Sequence, residues 1–150
     1  MKIKNSRLYK TQFNVSILLV LLFVQSCQPA EEKKENWISL FNGKDLNDWV
    51  IKINHHELNE NYNNTFRVRD SLLVVDYSEY DTITNDFGHI YYNEPFSKYK
   101  LRVEYRFTGE QAPGGAGWAY RNNGVMFHCQ DPKTILVYQP FPVSIEAQLL

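Results

Sequence analysis

Arg121-Asn122-Asn123-Gly124-Val125-Met126-Phe127-His128-Cys129-Gln130, followed after a turn-rich interval by Val143-Ser144-Ile145-Glu146-Ala147-Gln148-Leu149-Leu150, is the stretch on which the fold turns. Both runs alternate. Val125, Phe127 and Cys129 share one face of the first, and Met126, His128 and Gln130 the other. Val143, Ile145, Ala147 and Leu149 share one face of the second, and Ser144, Glu146 and Gln148 the other. A period of two marks a β-strand with one apolar face. It also sets a titratable His and a carboxylate on the polar faces of two strands, from which they can converge on a ligand.

The same pattern recurs upstream. Trp37–Phe41 is a short apolar run before a turn at Asn42-Gly43-Lys44-Asp45, and Val50–Ile53 alternates. Phe66–Val68 and Leu72–Tyr77 flank a turn at Arg69-Asp70-Ser71, Gly88–Tyr92 is another short run, and Thr134–Tyr138 a further one. Tyr99–Thr108 is the clearest strand by pattern, with Leu101, Val103, Tyr105 and Phe107 opposite Arg102, Glu104 and Arg106. Polar, Asn-rich segments at 55–65 and 78–86 read as loops. The Gly-rich segment Gly109–Gly117 has no Gly-Lys-Ser/Thr ending and no following helix, so it is no phosphate cradle. It reads as a mobile or conformationally unusual loop beside the site. No window holds a 3.6-residue period. Many short strands between Gly, Pro, Asn and Asp predict an all-β sandwich or barrel. The chain ends inside an apolar strand, so further strands of the same core are expected beyond Leu150.

The first 36 residues stand outside that pattern. Lys2, Lys4, Arg7 and Lys10 precede a ten-residue apolar run, Val15–Val24, and Val24-Gln25-Ser26-Cys27 closes it. Ten residues fall well short of the ~20 that span a bilayer. Basic flank, short apolar run and a Cys after a small residue resemble a bacterial lipoprotein signal. In such signals the Cys is lipidated, which predicts a signal at 1–27 and a membrane anchor at Cys27. Residues 28–36, Gln-Pro-Ala-Glu-Glu-Lys-Lys-Glu-Asn, are charged and lack large apolar side chains, so they read as a disordered tether. The folded part is then 37–150. The expected location is the bacterial cell envelope, lipid-anchored.

With Cys27 assigned to the anchor, Cys129 stands alone, which excludes a disulfide framework and a Cys-rich metal site. Its apolar face makes it a small buried hydrophobe. Setting the four leading cations aside leaves 12 basic against 17 acidic residues, a net of −5. A mildly acidic domain without a basic cluster argues against nucleic acid as partner. Aromatic residues make up 15% of the chain, a content suited to a β-rich core and to a surface that binds sugars.

Five phrases, in order, resemble one family: Leu40-Phe41-Asn42-Gly43-Lys44-Asp45-Leu46-Asn47-Asp48-Trp49; Phe66-Arg67-Val68 with Ser71-Leu72-Leu73; Tyr99–Arg106; Arg121-Asn122-Asn123-Gly124-Val125; and Ile145-Glu146-Ala147-Gln148. The family is that of the 3-keto-disaccharide hydrolases. The resemblance runs from Trp37 to Leu150 and implies a concanavalin A-like jelly roll that acts on 3-keto-glycosides. A ketone at C3 acidifies the proton at C2, so a base, an acid and a group at the enolate oxygen suffice for cleavage. On that chemistry His128 and Glu146 are the expected acid/base pair. Arg121 is the expected holder of negative charge or of a sugar hydroxyl, and Asn122, Asn123, Gln130 and Gln148 are expected hydroxyl ligands. Glu104 and Arg106 lie on a charged strand face that is either part of the sugar-binding side or an ordinary ion pattern. His and Glu are also legitimate ligands of a divalent cation, though spacing alone places none there. The alternative from another class is a non-catalytic glycan-binding envelope lipoprotein, since the same fold hosts lectins.

Overall fold

The computed structural model describes residues 35–149. The expected signal, Cys27 and most of the tether lie outside the described residues. Contacts divide the chain into Met1–Trp37 and Ile38–Leu150, and every strand among the described residues belongs to the second unit.

That unit is all-β. Six strands are formed: β1 (Trp49–Ile53), β2 (Phe66–Arg69), β3 (Leu72–Val75), β4 (Gly88–Tyr92), β5 (Asn123–Phe127) and β6 (Ile145–Leu149). The helical segments among the described residues are three 3-10 turns of three residues each. The strands pair as three antiparallel ladders, β1 with β4, β2 with β3, and β5 with β6.

The chain enters β1 through side-chain chemistry. Asn42 Oδ1 accepts from the backbone N–H groups of Lys44 (2.8 Å) and Asp45 (3.0 Å), and Gly43 takes φ +73°. In the β1–β4 ladder Lys52 lies opposite His89, Ile51 opposite Ile90, and Ile53 opposite Gly88. One face carries Ile51 and Ile53, which with Phe66 form the buried core, and Leu46 and Ile90 pack against it. A Cβ at Gly88 would meet the Phe66 ring at 2.9 Å, so this position must be glycine for the core to close. The other face carries Lys52, His89 and Tyr91, which makes it polar and half-buried.

The loop before β2 is held by its asparagines. Asn61 bonds Phe66 twice, donating from Nδ2 to its carbonyl (2.6 Å) and accepting at Oδ1 from its N–H (2.9 Å), so one side chain stands in for a ladder neighbour. β2 and β3 join through Asp70 and Ser71, with φ of +51° and +59°. Two positive φ values in a two-residue connection are those of a type I′ turn.

Three expectations are corrected. Trp37–Phe41 and Thr134–Tyr138 are not strands. In the second, Ile135 is buried while Leu136 and Tyr138 stand 72% and 80% exposed, and the segment pairs with no strand. Tyr99–Thr108 joins no ladder, although Tyr105 and Phe107 do share a side, their rings edge-to-face at 5.5 Å. Alternation encodes which way side chains point; it does not encode the neighbour whose N–H and C=O groups complete a ladder. The segment connects instead through aromatics: Tyr92, Phe96, Tyr99 and Phe127 stand in a chain of ring contacts from β4 to β5.

Candidate functional site

The β5–β6 register sets Met126 opposite Glu146 and Gly124 opposite Gln148. The Glu146 carboxyl leans diagonally across the ladder and occupies the space a Cβ on Gly124 would fill. The glycine is thus what lets the carboxylate lie down on β5. This leads Glu146 away from His128, which sits beyond the end of β5, exposed, with φ +49°. Gly124 and His128 are separated by roughly 13 Å of extended chain.

A second imidazole feels the Glu146 charge. His89, on β4, is half-buried and donates from Nε2 to the Pro140 carbonyl at 2.9 Å. That bond fixes the tautomer and leaves Nδ1 as the acceptor nitrogen. Burial pushes the ring below the ordinary His value; the Pro140 carbonyl and the nearby Glu146 carboxylate pull the other way, and Lys52 adds to the depression. A neutral imidazole with one nitrogen pinned and the other an acceptor is suited to take a proton.

Lys52 lies opposite His89 and is 2% exposed. Its ammonium donates to the carbonyls of Ile53 (2.9 Å) and His56 (2.6 Å), and burial lowers its pKa. A buried positive charge, held by carbonyl oxygens, thus belongs to the residue opposite His89.

From His89 a chain of contacts runs to Glu146. The Phe141 ring is 5.9 Å from His89, and Trp118 is 6.3 Å from Phe141. The Trp118 carbonyl accepts from Asn122 Nδ2 (3.0 Å), and Asn122 Oδ1 accepts from Gln148 Nε2 (2.6 Å). Gln148 faces Gly124, over which Glu146 lies, and the Glu146 charge acts at His89 through space. The loop before Trp118 is tied down. Gly114 has φ +79° and approaches Thr82 and Ile83 too closely for a side chain, and Pro113 accepts from the Ile83 N–H at 2.8 Å. Of the two readings of this loop, unusual conformation is the one the backbone displays.

The other expected residues are more scattered. Arg121, φ +50°, lays its guanidinium 5.1 Å from the Tyr120 ring centre, next to Asn122. Asn123 accepts at Oδ1 from the Gly124 N–H (2.7 Å) and so caps its own strand. Gln130 is occupied as a staple: it donates to Thr134 and accepts from Gln139 Nε2 (2.8 Å) and the Val143 N–H (3.2 Å). Glu104 and Arg106 are exposed on the segment that joins no ladder. Cys129 is half-buried near the Tyr91 hydroxyl, and burial pushes its thiol up, away from nucleophilic use. Among the described residues, no three His, Cys, Asp or Glu side chains are arranged to hold a metal ion.

Sequence reading missed His89, Lys52, Phe141 and Trp118. His89 and Lys52 sit at strand positions whose partners come only with the register. The available signal was that Lys52 and His89 each interrupt an apolar strand.

A family model described as the 3-keto-alpha-glucoside-1,2-lyase-like domain matches residues 36–150. That domain is jelly-roll-like, and the all-β architecture agrees with it. No curated protein and no solved structure matches the chain.

Proposed function

Since the chain belongs to the 3-keto-alpha-glucoside-1,2-lyase-like family, we propose that it cleaves 3-keto-glycosides, with His89 as the base and Glu146 as the acid. One observation carries the choice of residues: the Glu146 carboxyl lies over Gly124, and its charge is felt at an imidazole whose Nε2–H is already committed to Pro140.

The reaction follows from the ketone. His89 Nδ1 takes the C2 proton, and the C–H electron pair forms the enolate with C3. The enolate collapses, C1=C2 forms, and the C1–O bond breaks. The Glu146 carboxyl gives the departing oxygen its proton. Water added across C1=C2 then gives the net hydrolysis product. Asn122 and Gln148 supply amide groups for sugar hydroxyls, and Arg121 supplies charge at the same edge. The buried Lys52 favours negative charge near His89, which assists the enolate. The lipid anchor at Cys27 belongs to this reading and sets the enzyme at the envelope.

A second assignment keeps His128 as the base. What favours it is a left-handed backbone at a non-glycine residue, a conformation that clusters at functional sites. Aglycone release from a 3-keto-glucoside decides between them. His89→Gln and Glu146→Gln should each lower kcat about 10²- to 10⁴-fold, the scale of a general acid or base, with His128→Gln close to wild type. A large loss in His128→Gln with His89→Gln active would transfer the role to His128. No turnover by wild type, with binding of unoxidised glycans, would make the protein a binding module.

A further inference from the structure

The His89 ring is aimed by one bond, from Nε2–H to the Pro140 carbonyl at 2.9 Å. That carbonyl belongs to a segment that joins no ladder, between the last 3-10 turn and β6. Proline has no N–H, so Pro140 cannot fix itself by donating. Burial does not fix it either: no residue from Leu136 to Phe141 is buried. Polar bonds from its neighbours must set the direction of its C=O.

Gln139 makes those bonds on both flanks. Its Oε1 accepts from the Leu136 N–H (3.3 Å), and its own N–H donates to the Leu136 carbonyl (3.1 Å). Its Nε2 donates past Pro140 to the Phe141 carbonyl (2.9 Å) and sideways to Gln130 Oε1 (2.8 Å). A carbonyl can only accept, which settles how the Gln139 amide is turned. Gln130 Oε1 also accepts from the Val143 N–H (3.2 Å), so the amide that holds Gln139 is held in turn.

We propose that Gln139 is a positioning residue: through the Pro140 carbonyl it fixes the tautomer and the aim of His89, and it acts on the reaction only through that ring. The catalytic consequence rests on the reading of His89 as the base; the orientation of the ring does not. A neutral imidazole has one proton for two nitrogens, and a fixed acceptor at Nε2 leaves Nδ1 bare. With the carbonyl loose, the Nδ1–H form becomes populated, and that form has no Nδ1 lone pair for the C2 proton. The same carbonyl supports the protonated ring. Loosening it therefore moves the titration of His89 to lower pH, while Glu146 and Lys52, the other charges that act on the ring, are left in place.

The test is 15N NMR of the imidazoles in the full chain. Wild type should show His89 as the Nε2–H tautomer alone at pH above its titration. Gln139→Met, equal in length but without an amide, should show averaged tautomers and a lower midpoint, with His128 unchanged. Its kcat on a 3-keto-glucoside should fall about three- to tenfold, one net hydrogen bond expressed as a rate, with KM near wild type. Gln139→Glu keeps the acceptor for Leu136 and loses both donors, so it should give the same mixture of tautomers. A lone Nε2–H tautomer and an unmoved midpoint in both variants would overturn the proposal. So would equal changes at His55, His56 and His128, or failure of both variants to fold, since either makes Gln139 merely structural. If wild type shows no turnover, or His89→Gln stays fully active, the acid/base reading fails, and the tautomer spectra still decide whether Gln139 orients the ring.

Discussion

At the level of single residues, the site depends on one missing side chain. The Glu146 carboxyl lies where a Cβ of Gly124 would be, and Gly124 does not adopt the left-handed backbone that alanine resists. Gly124→Ala should therefore keep the fold and displace the carboxyl, lowering turnover about 100-fold, the lower end for losing a general acid, with the melting temperature within a few degrees. Turnover near wild type would mean that Glu146 needs no such berth. His89 gives a second expectation. Its folded-state pKa lies below its ordinary value because of burial, so the unfolded chain binds its proton more readily. Its contribution to stability is full above the unfolded-state pKa near 6.5 and is lost as pH falls through the depressed folded value. In His89→Gln, the fall in melting temperature over that interval should flatten; an unchanged profile would show that the ring titrates as if exposed. Gly124 was visible in the sequence within an Arg-Asn-x-Gly phrase, yet its purpose was not, because only the register reveals which carboxylate lies over it.

Among the elements, the β2–β3 hairpin is the most local construction in the fold. Its Asp70 and Ser71 both take positive φ, which L-residues tolerate poorly and Asn-Gly accommodates. Asp70→Asn with Ser71→Gly should raise stability by about 0.5–1 kcal/mol, seen as a melting temperature higher by a few degrees. A lower one would mean that the Ser71 side chain, which packs near Gly43, outweighs the backbone relief. Elements of this kind were legible because turn chemistry and a period of two are both local. All six ladder strands lie at or near runs that the alternation marks. Tyr99–Thr108 carries the clearest alternation and joins no ladder, and Thr134–Tyr138 is a loop stapled by Gln130. In both cases the deciding interaction is with a distant segment. The site shows the same division: Glu146, Gln148 and Asn122 gather at the β5–β6 end, while His89 stands on β4 and is tied to Pro140 and Phe141.

Across the full chain, the residues proposed for chemistry and those proposed for address lie in separate stretches. Every residue in the chain of contacts comes from the unit that begins at Ile38, and the family match begins at residue 36. The basic flank, the ten-residue apolar run and Cys27 all precede it. A lipid on Cys27 would supply membrane affinity at about 0.8 kcal/mol per buried methylene, without using any surface of the folded unit. The remainder carries a net of −5, which gives it no net attraction to anionic headgroups, so a lipid at Cys27 would have to do the holding. Cys27→Ser should therefore move the protein from the membrane fraction to the soluble one and abolish incorporation of labelled fatty acid. Thermal unfolding and 3-keto-glucoside turnover should stay as in wild type. Persistence in the membrane fraction without the label would place the attachment in the apolar run itself, as a retained segment. Loss of turnover in the soluble variant would tie the chemistry to the membrane surface, and address would then be a condition of catalysis.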